Sequence, residues 1–463
     1  MSSCLSSVDC FGCGPRPRIE FVMAVFSRRD IQASLNNLGR ALTRSQLAEF
    51  VHRLNGAAAG SLSAEWEAVI LSAFSQCGRI QYEKDFGGKR KPDLFFQLGS
   101  SGNLEFLADI TTVSDTAAHD ANPYDEFYEA VRRFLKKRGH NSAGLYLDVR
   151  NEQIGEYGDR KVRLLLPRKG ELDQFVRAEL GAFLSEVAKR PDKDARFSYN
   201  QSGICFSLQY NSKETKFSEG HAIAYTVPYS KRRNPLANTL NEKGNQLANS
   251  GYKGPSGIIV CDGGCDALNE RPCVSGMTDC REIVSGIFQK RSSILFVLVL
   301  RVEQQYRGFI GSSSIQIVPR FYWNSRREKV LAEKITIAVD RMLRFLPCPE
   351  STPGNAIRWL INDKNVGRPL GGITMQGKSI KISARALTEL LAGRVDLKRF
   401  LENHYLKPVQ EGRGSFPFFE LQLNSGHTLK NAFVEGDGHK DDDWIVLEYD
   451  GPDPAISPFR VPS

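Results

Sequence analysis

Residues 61–115 read SLSAEWEAVILSAFSQCGRIQYEKDFGGKRKPDLFFQLGSSGNLEFLADITTVSD, and this stretch decides the fold. Apolar residues recur at helical spacing through Trp66, Val69, Ile70, Ala73 and Phe74, which predicts a helix over 63–77 with Ser63 as its cap. Glu65 and Glu67 flank that face on opposite sides. Strands are expected at about 79–84, 92–98 and 104–112, with Gly87-Gly88 and Gly99-Ser100-Ser101-Gly102 as turns. The second strand opens with Pro92-Asp93, and the third ends in Asp109-Ile110-Thr111. LEFLADITTV is apolar on both faces, which is the signature of a central strand. Two carboxylates at the ends of neighbouring strands, with a third brought by a helix, form an oxygen-ligand set suited to a hard divalent cation.

Outward from this stretch, the pattern predicts a helical hairpin at 23–58, with Thr43 and Ser45 as caps and Gly56 as its close. Residues 1–22 read as a disordered lead-in. A first part of the α/β core spans 59–117, and an α+β insertion spans 118–228. Within that insertion a helix is expected at 124–138, with strands at GLYLDV, KVRLLLP, ICFSLQY and HAIAYTV and a helix over ELDQFVRAELGAFLSEVAKR. NPLANTLNEKGNQLANSGY is a further helix, and PSGIIVCDGG and RSSILFVLVLRV are buried strands with a helix (279–290) between them. These form the second part of the core, 229–303, because a helix followed by a buried strand, twice over, extends an α/β sheet. An α+β region over 304–463 completes the chain, with FELQL and WIVLEY as its last strands.

Composition narrows the function classes. The 463 residues are 41% hydrophobic and 25% charged, ordinary for a globular protein. The longest apolar run, ILFVLVL, is strand length, and the start of the chain lacks a signal-peptide pattern, so a cytoplasmic location without a membrane partner is expected. A net charge of +9 favours a polyanionic partner. Lys89-Arg90-Lys91 adjoins the acidic strand and is the best phosphate-contact candidate; Arg132-Arg133, Lys136-Lys137-Arg138 and Lys231-Arg232-Arg233 are further basic clusters. The ten cysteines match neither a disulfide scaffold nor a zinc pattern and read as reduced thiols. His119 and His140 read as solvated, Asp115 as a helix cap or an outer residue of the acidic site, and Asp262 has no assignable role. Phe321, Tyr322 and Trp323 fall on both faces of one strand and suit core and interface.

Glu67, Asp93 and Asp109 together resemble the signature of the PD-(D/E)xK nuclease superfamily. The resemblance implies an α/β, restriction-endonuclease-like core of helix, three strands, helix and strand. Glu67 precedes Gly78 by eleven residues, the family's usual spacing, with Glu65 as the fallback. Asp93 and Asp109 would be metal ligands for Mg²⁺ or Mn²⁺, with Glu67 helping to hold the metal or its water. The motif lysine is absent, because its position holds Thr111. Three readings follow. A lysine has migrated to another element, Lys243 being the candidate, with Gln246 on the same helix face; the metal acts with Thr111 alone; or the site is dead. Lysine matters because an ammonium positions the attacking water and steadies the charged transition state. The activity implied is phosphodiester cleavage on nucleic acid, DNA in preference to RNA. Genome defence in bacteria follows by analogy only, and a protein partner or self-association is left open. The alternative is an inactive nuclease-like core serving as a nucleic-acid-binding or scaffold module.

Overall fold

The computed structural model describes residues 25–353, apart from 56–57, 100–103, 141, 157–159, 215–218, 224, 227–228, 271–277, 308–311 and 327–328. In the C-terminal part it describes 373–397, 400–401, 418–436, 438 and 441–453. The expected lead-in at 1–22, the Gly56 stop and the tail after 453 lie outside the described residues. The chain divides into two compact units, 30–355 and 1–29 with 356–463.

In the larger unit, α1 (Arg28–Leu38, which begins in the other unit) and α2 (Arg44–Leu54) form the expected hairpin. A reciprocal Thr43–Gln46 capping box starts α2. Helix α3 spans Ala58–Cys77 and so begins five residues before the predicted Ser63 start. Ala58 and Ala59 are strong helix formers and extend it. Nearly every side chain from Ala64 to Phe74 is buried, including Trp66, whose Nε1 donates to the Asp262 carbonyl at 2.9 Å. Gly78 ends the helix where a Cβ would meet the Gln97 carbonyl oxygen at 2.5 Å, so only glycine lets the chain turn directly into the sheet.

Strands β1 (Arg79–Gln81), β2 (Leu94–Leu98) and β3 (Leu104–Val113) follow as an antiparallel meander. The insertion comes next. It comprises α4 (Thr116–Ala121), α5 (Tyr124–Lys136), β4 (Leu145–Val149), β5 (Asn151–Ile154), β6 (Lys161–Leu164), α6 (Leu172–Phe175), α7 (Gly181–Lys189), β7 (Ala195–Gln201), β8 (Ile204–Tyr210) and β9 (Glu219–His221). Its main sheet, ordered β7-β8-β4-β9, covers a separate apolar cluster that includes Phe127, Val131, Leu147, Leu184 and Leu208. One expectation fails here. The strand over 221–227 is only β9, because Ala222 and Ile223 pack on the cluster from a loop. β7, half exposed and rich in polar residues, had no apolar signal to announce it.

The core resumes with α8 (Pro235–Ala248), β10 (Ser256–Asp262), α9 (Cys280–Lys290), β11 (Ile294–Arg307), β12 (Ser312–Trp323) and α10 (Lys329–Leu343). The central sheet has the order β1-β2-β3-β10-β11-β12. β10 is parallel to both β3 and β11, and all of its residues are buried. The predicted boundary at 303/304 is therefore corrected. β11 runs unbroken through it and pairs with β12 from Phe296↔Trp323 to Arg307↔Ser312, while α10 packs against α3. The shift to polar residues after Arg301 marks a strand continuing as a hairpin, not a new region.

In the smaller unit, β13 (Ile373–Gln376), β14 (Ser379–Ser383), β15 (His427–Glu435) and β16 (Trp444–Pro452) form a sheet ordered β13-β14-β16-β15. Helices α11 (Ala384–Leu391, capped by Ser383) and α12 (Phe418–Asn424) accompany it. FELQL is thus helical rather than extended. Its alternating leucines, Leu421 and Leu423, are exposed, whereas Phe418 is the residue that anchors it in the apolar cluster.

Candidate metal centre

The β2–β3 register, Leu94↔Ala108, brings Asp93 level with Asp109 one step further along. The Ile110 amide donates to Asp93 Oδ2 at 2.8 Å, locking the first carboxylate onto the strand that carries the second. Asp109 is buried in the middle of the sheet. Leu107, Asp109, Thr111 and Val113 alternate onto one face of β3, and α8 packs on that face through Leu236, Leu240 and Leu247. Asn234 caps the helix by accepting from the Ala237 amide at 2.8 Å, with Pro235 in the first turn. This packing leaves the flank of α8 over the aspartates, and Lys243 Nζ lies 2.8 Å from Asp109 Oδ1.

The charges are tightly coupled. Burial pushes the Asp93 carboxyl well above the usual range, and the adjacent Asp109 raises it further by its charge and a hydrogen bond; Lys243 and the Ile110 amide only partly oppose this. Asp93 therefore favours its protonated form beside Asp109. Burial alone would lower the Lys243 ammonium, but Asp109 and then Asp93 outweigh it and hold it above its ordinary value.

Glu67 stands differently from the expectation. It is buried and is raised first by desolvation and then by the charge of Asp93. Its Oε2 is, however, held by Arg53 Nη1 at 2.7 Å, and the Tyr82 hydroxyl also bonds it. Among the described residues, no set of three or more His, Cys, Asp or Glu side chains is grouped to hold a metal ion. The structure therefore brings together Asp93, Asp109 and Lys243, and leaves Glu67 as a neighbour tied to the hairpin. Thr111 is buried on the same face, and Gln246 is half-buried on α8. Neither side chain hydrogen-bonds to Asp93, Asp109 or Lys243 among the described residues. Glu65, the fallback, is also buried.

Lys89, Arg90 and Lys91 are exposed, on a loop whose backbone is held. The Lys89 amide donates to the Asn249 carbonyl at 2.9 Å, and Lys91 reaches Asp85 at 3.4 Å. A Cβ on Gly88 would lie 2.2 Å from the Ser250 carbonyl carbon, so the loop can lie against the end of α8 only with glycine there. The basic run is thereby anchored to the helix that carries Lys243.

Asp115 belongs to a separate clasp. It accepts from the Asp266 amide at 2.7 Å and from Cys265 Sγ at 3.2 Å, while the Thr226 hydroxyl bonds Asp266. Both ends of the insertion are thus tied to the loop after β10. Asp262 accepts from the Gly264 and Val302 amides, which makes it a structural residue. His119 bonds Tyr225, and His140 lies edge-on to Tyr210. The described cysteines are all unbridged.

Sequence reasoning missed Arg53, Tyr82 and Glu83. Glu83 has a left-handed backbone (φ 50°), rare outside glycine, and burial together with the charges of Glu49, Asp93 and Glu67 raises its carboxyl. The clustered acids of YEKD were the only available signal, and nothing in the sequence aimed Arg53 at Glu67.

A divalent cation fits Asp93 and Asp109 chemically. Their donors are all oxygen and they adjoin, and release of the Asp93 proton would leave one negative charge beyond the one that Lys243 pairs. Two cavities of about 630 Å³, one beside Tyr146 and Arg196 and the other beside Arg281 and Arg320, lie away from the aspartates, so the fit rests on charge and donor type. No helix among the described residues is long and apolar enough to cross a membrane. Comparison with protein-family models, curated proteins and solved structures finds no match to this chain.

Proposed function

We propose that this chain is a metal-dependent nuclease whose core is of the restriction-endonuclease-like kind. The observation that carries the reading is the 2.8 Å contact between Lys243 and Asp109, made across 134 residues of chain. A lysine absent from the motif position is supplied by a helix packed on the same strand face. Asp93 and Asp109 would hold Mg²⁺ or Mn²⁺, which when bound activates water and offsets charge on a phosphodiester. Lys243 would orient that water by hydrogen bonding and hold positive charge beside the reacting phosphate. Asp93 would release its proton as the site loads. Lys89, Arg90 and Lys91 would contact backbone phosphates, DNA before RNA.

The test is cleavage of plasmid and single-stranded DNA, and of RNA, with Mg²⁺ or Mn²⁺. Cleavage should vanish with chelation and in Asp109→Asn and Asp93→Asn; activity surviving all three removes the reading. An inactive nucleic-acid-binding core is the second reading, favoured by the Arg53–Glu67 pair, which withdraws one carboxylate. Binding without cleavage, together with no Asp109-dependent Mn²⁺ binding, would select it.

A further inference from the structure

Arg53 is the last-turn arginine of α2, outside the strand motif, yet it reaches Glu67, a buried glutamate whose carboxyl feels the charge of Asp93. Its Nη1 lies 2.7 Å from Glu67 Oε2, its Nη2 donates to the Tyr82 hydroxyl at 3.4 Å, and its guanidinium lies 4.5 Å from the centre of the Phe50 ring. The glutamate side chain is 8% exposed and the arginine 32%, so the pair closes a buried carboxylate off from solvent. Arg53 Nε is buried without a hydrogen-bond partner, so the fork is incompletely satisfied. Burying a carboxylate with its partner is a poor route to stability compared with packed apolar residues, so its presence among the buried side chains of α3 calls for another role.

We propose that Arg53 is the positioning residue that sets the composition of the metal centre, holding Glu67 out of it so that a cation meets only Asp93 and Asp109. The hairpin α1–α2 thereby governs how many carboxylates the site presents. This inference rests on the nuclease reading of Asp93 and Asp109, and it extends that reading to a helix the motif does not contain. A third carboxylate tightens divalent binding because affinity for hard cations follows ligand charge.

The test is Mn²⁺ binding to the full chain, followed by the EPR signal of the free ion, with folding checked by circular dichroism. Arg53→Gln frees Glu67 and should tighten Mn²⁺ binding about tenfold. Glu67→Gln in the wild-type background should change it less than about twofold, and the double variant should return to wild type. Arg53→Lys keeps the charge and should bind as wild type. Unchanged or weaker binding in folded Arg53→Gln, or a gain that persists in the double variant, overturns the proposal. Glu67→Gln leaves Arg53 an acceptor and carries the test alone should Arg53→Gln fail to fold; a tenfold loss there would show that Glu67 already ligates. Asp109→Asn separates the two claims. If neither wild type nor Arg53→Gln shows Asp109-dependent binding, the nuclease reading falls first and takes this proposal with it.

Discussion

Lys243 and Asp109 form an ion pair at 2.8 Å between a helix flank and a central strand, with Asp109 almost wholly enclosed. Removing the lysine leaves a buried, uncompensated carboxylate. Lys243→Met should therefore destabilise the protein by about 3 kcal/mol at neutral pH, and adding Asp109→Asn should recover most of that loss. Chemical denaturation of the two single variants and the double checks this. Additive losses would mean that the pair is not coupled.

The second prediction concerns Asp93 and acid. Its carboxyl is raised in the folded protein by burial and by Asp109, so the folded state binds its proton more readily than the unfolded chain does. Its contribution to stability is then fully present below the unfolded value of about 4 and is lost as pH rises through the folded value. Asp93→Asn should remove this loss and so stabilise the metal-free protein at neutral and alkaline pH. Denaturation midpoints measured across pH test the sign; a variant less stable than wild type at pH 8 contradicts it.

Asp115 offers a better-bounded window. Burial lifts its carboxyl from 3.8 to about 6, the Asp266 amide and the Cys265 thiol opposing. The same sign applies, so stability from this group falls between roughly pH 4 and pH 6, by about 3 kcal/mol in all. Asp115→Asn should flatten that part of the stability profile while leaving Mn²⁺ binding intact. The clasp joins the insertion to the core, so hydrogen exchange at 114–116 and 264–268 should slow as pH drops toward 5.

The exposed run Lys89-Arg90-Lys91 should act through phosphates without reading sequence. Replacing all three by alanine should weaken DNA binding equally across sequences and lower the slope of log K against log salt by about 2–3. A change in sequence preference without a change in slope would point to base contacts instead.

How much of this was legible in the sequence depends on the range of the signal. The α3–β2–β3 run, the Thr43 cap, β10 and the apolar first half of β11 are local patterns, and local periodicity and capping chemistry reveal them. Lys243 was a candidate because the nuclease resemblance implies that the helix after the insertion lies beside the acidic strands. Arg53 and Glu83 were not legible, because a helix-end arginine and a left-handed glutamate acquire meaning only from tertiary neighbours. FELQL shows the converse error. Alternation of exposed leucines imitates a strand, while a single buried phenylalanine anchors the helix.

The most direct test of the central claim moves the lysine back to the motif position. Lys243→Met should lower Mn²⁺-dependent DNA cleavage by about a hundredfold or more. Thr111 shares the strand face of Asp109, so Thr111→Lys in the Lys243→Met background should restore part of the lost rate. Cleavage unaffected by Lys243→Met, under conditions where the wild type needs Mn²⁺ and Asp109, would contradict the claim that this helix supplies the missing charge.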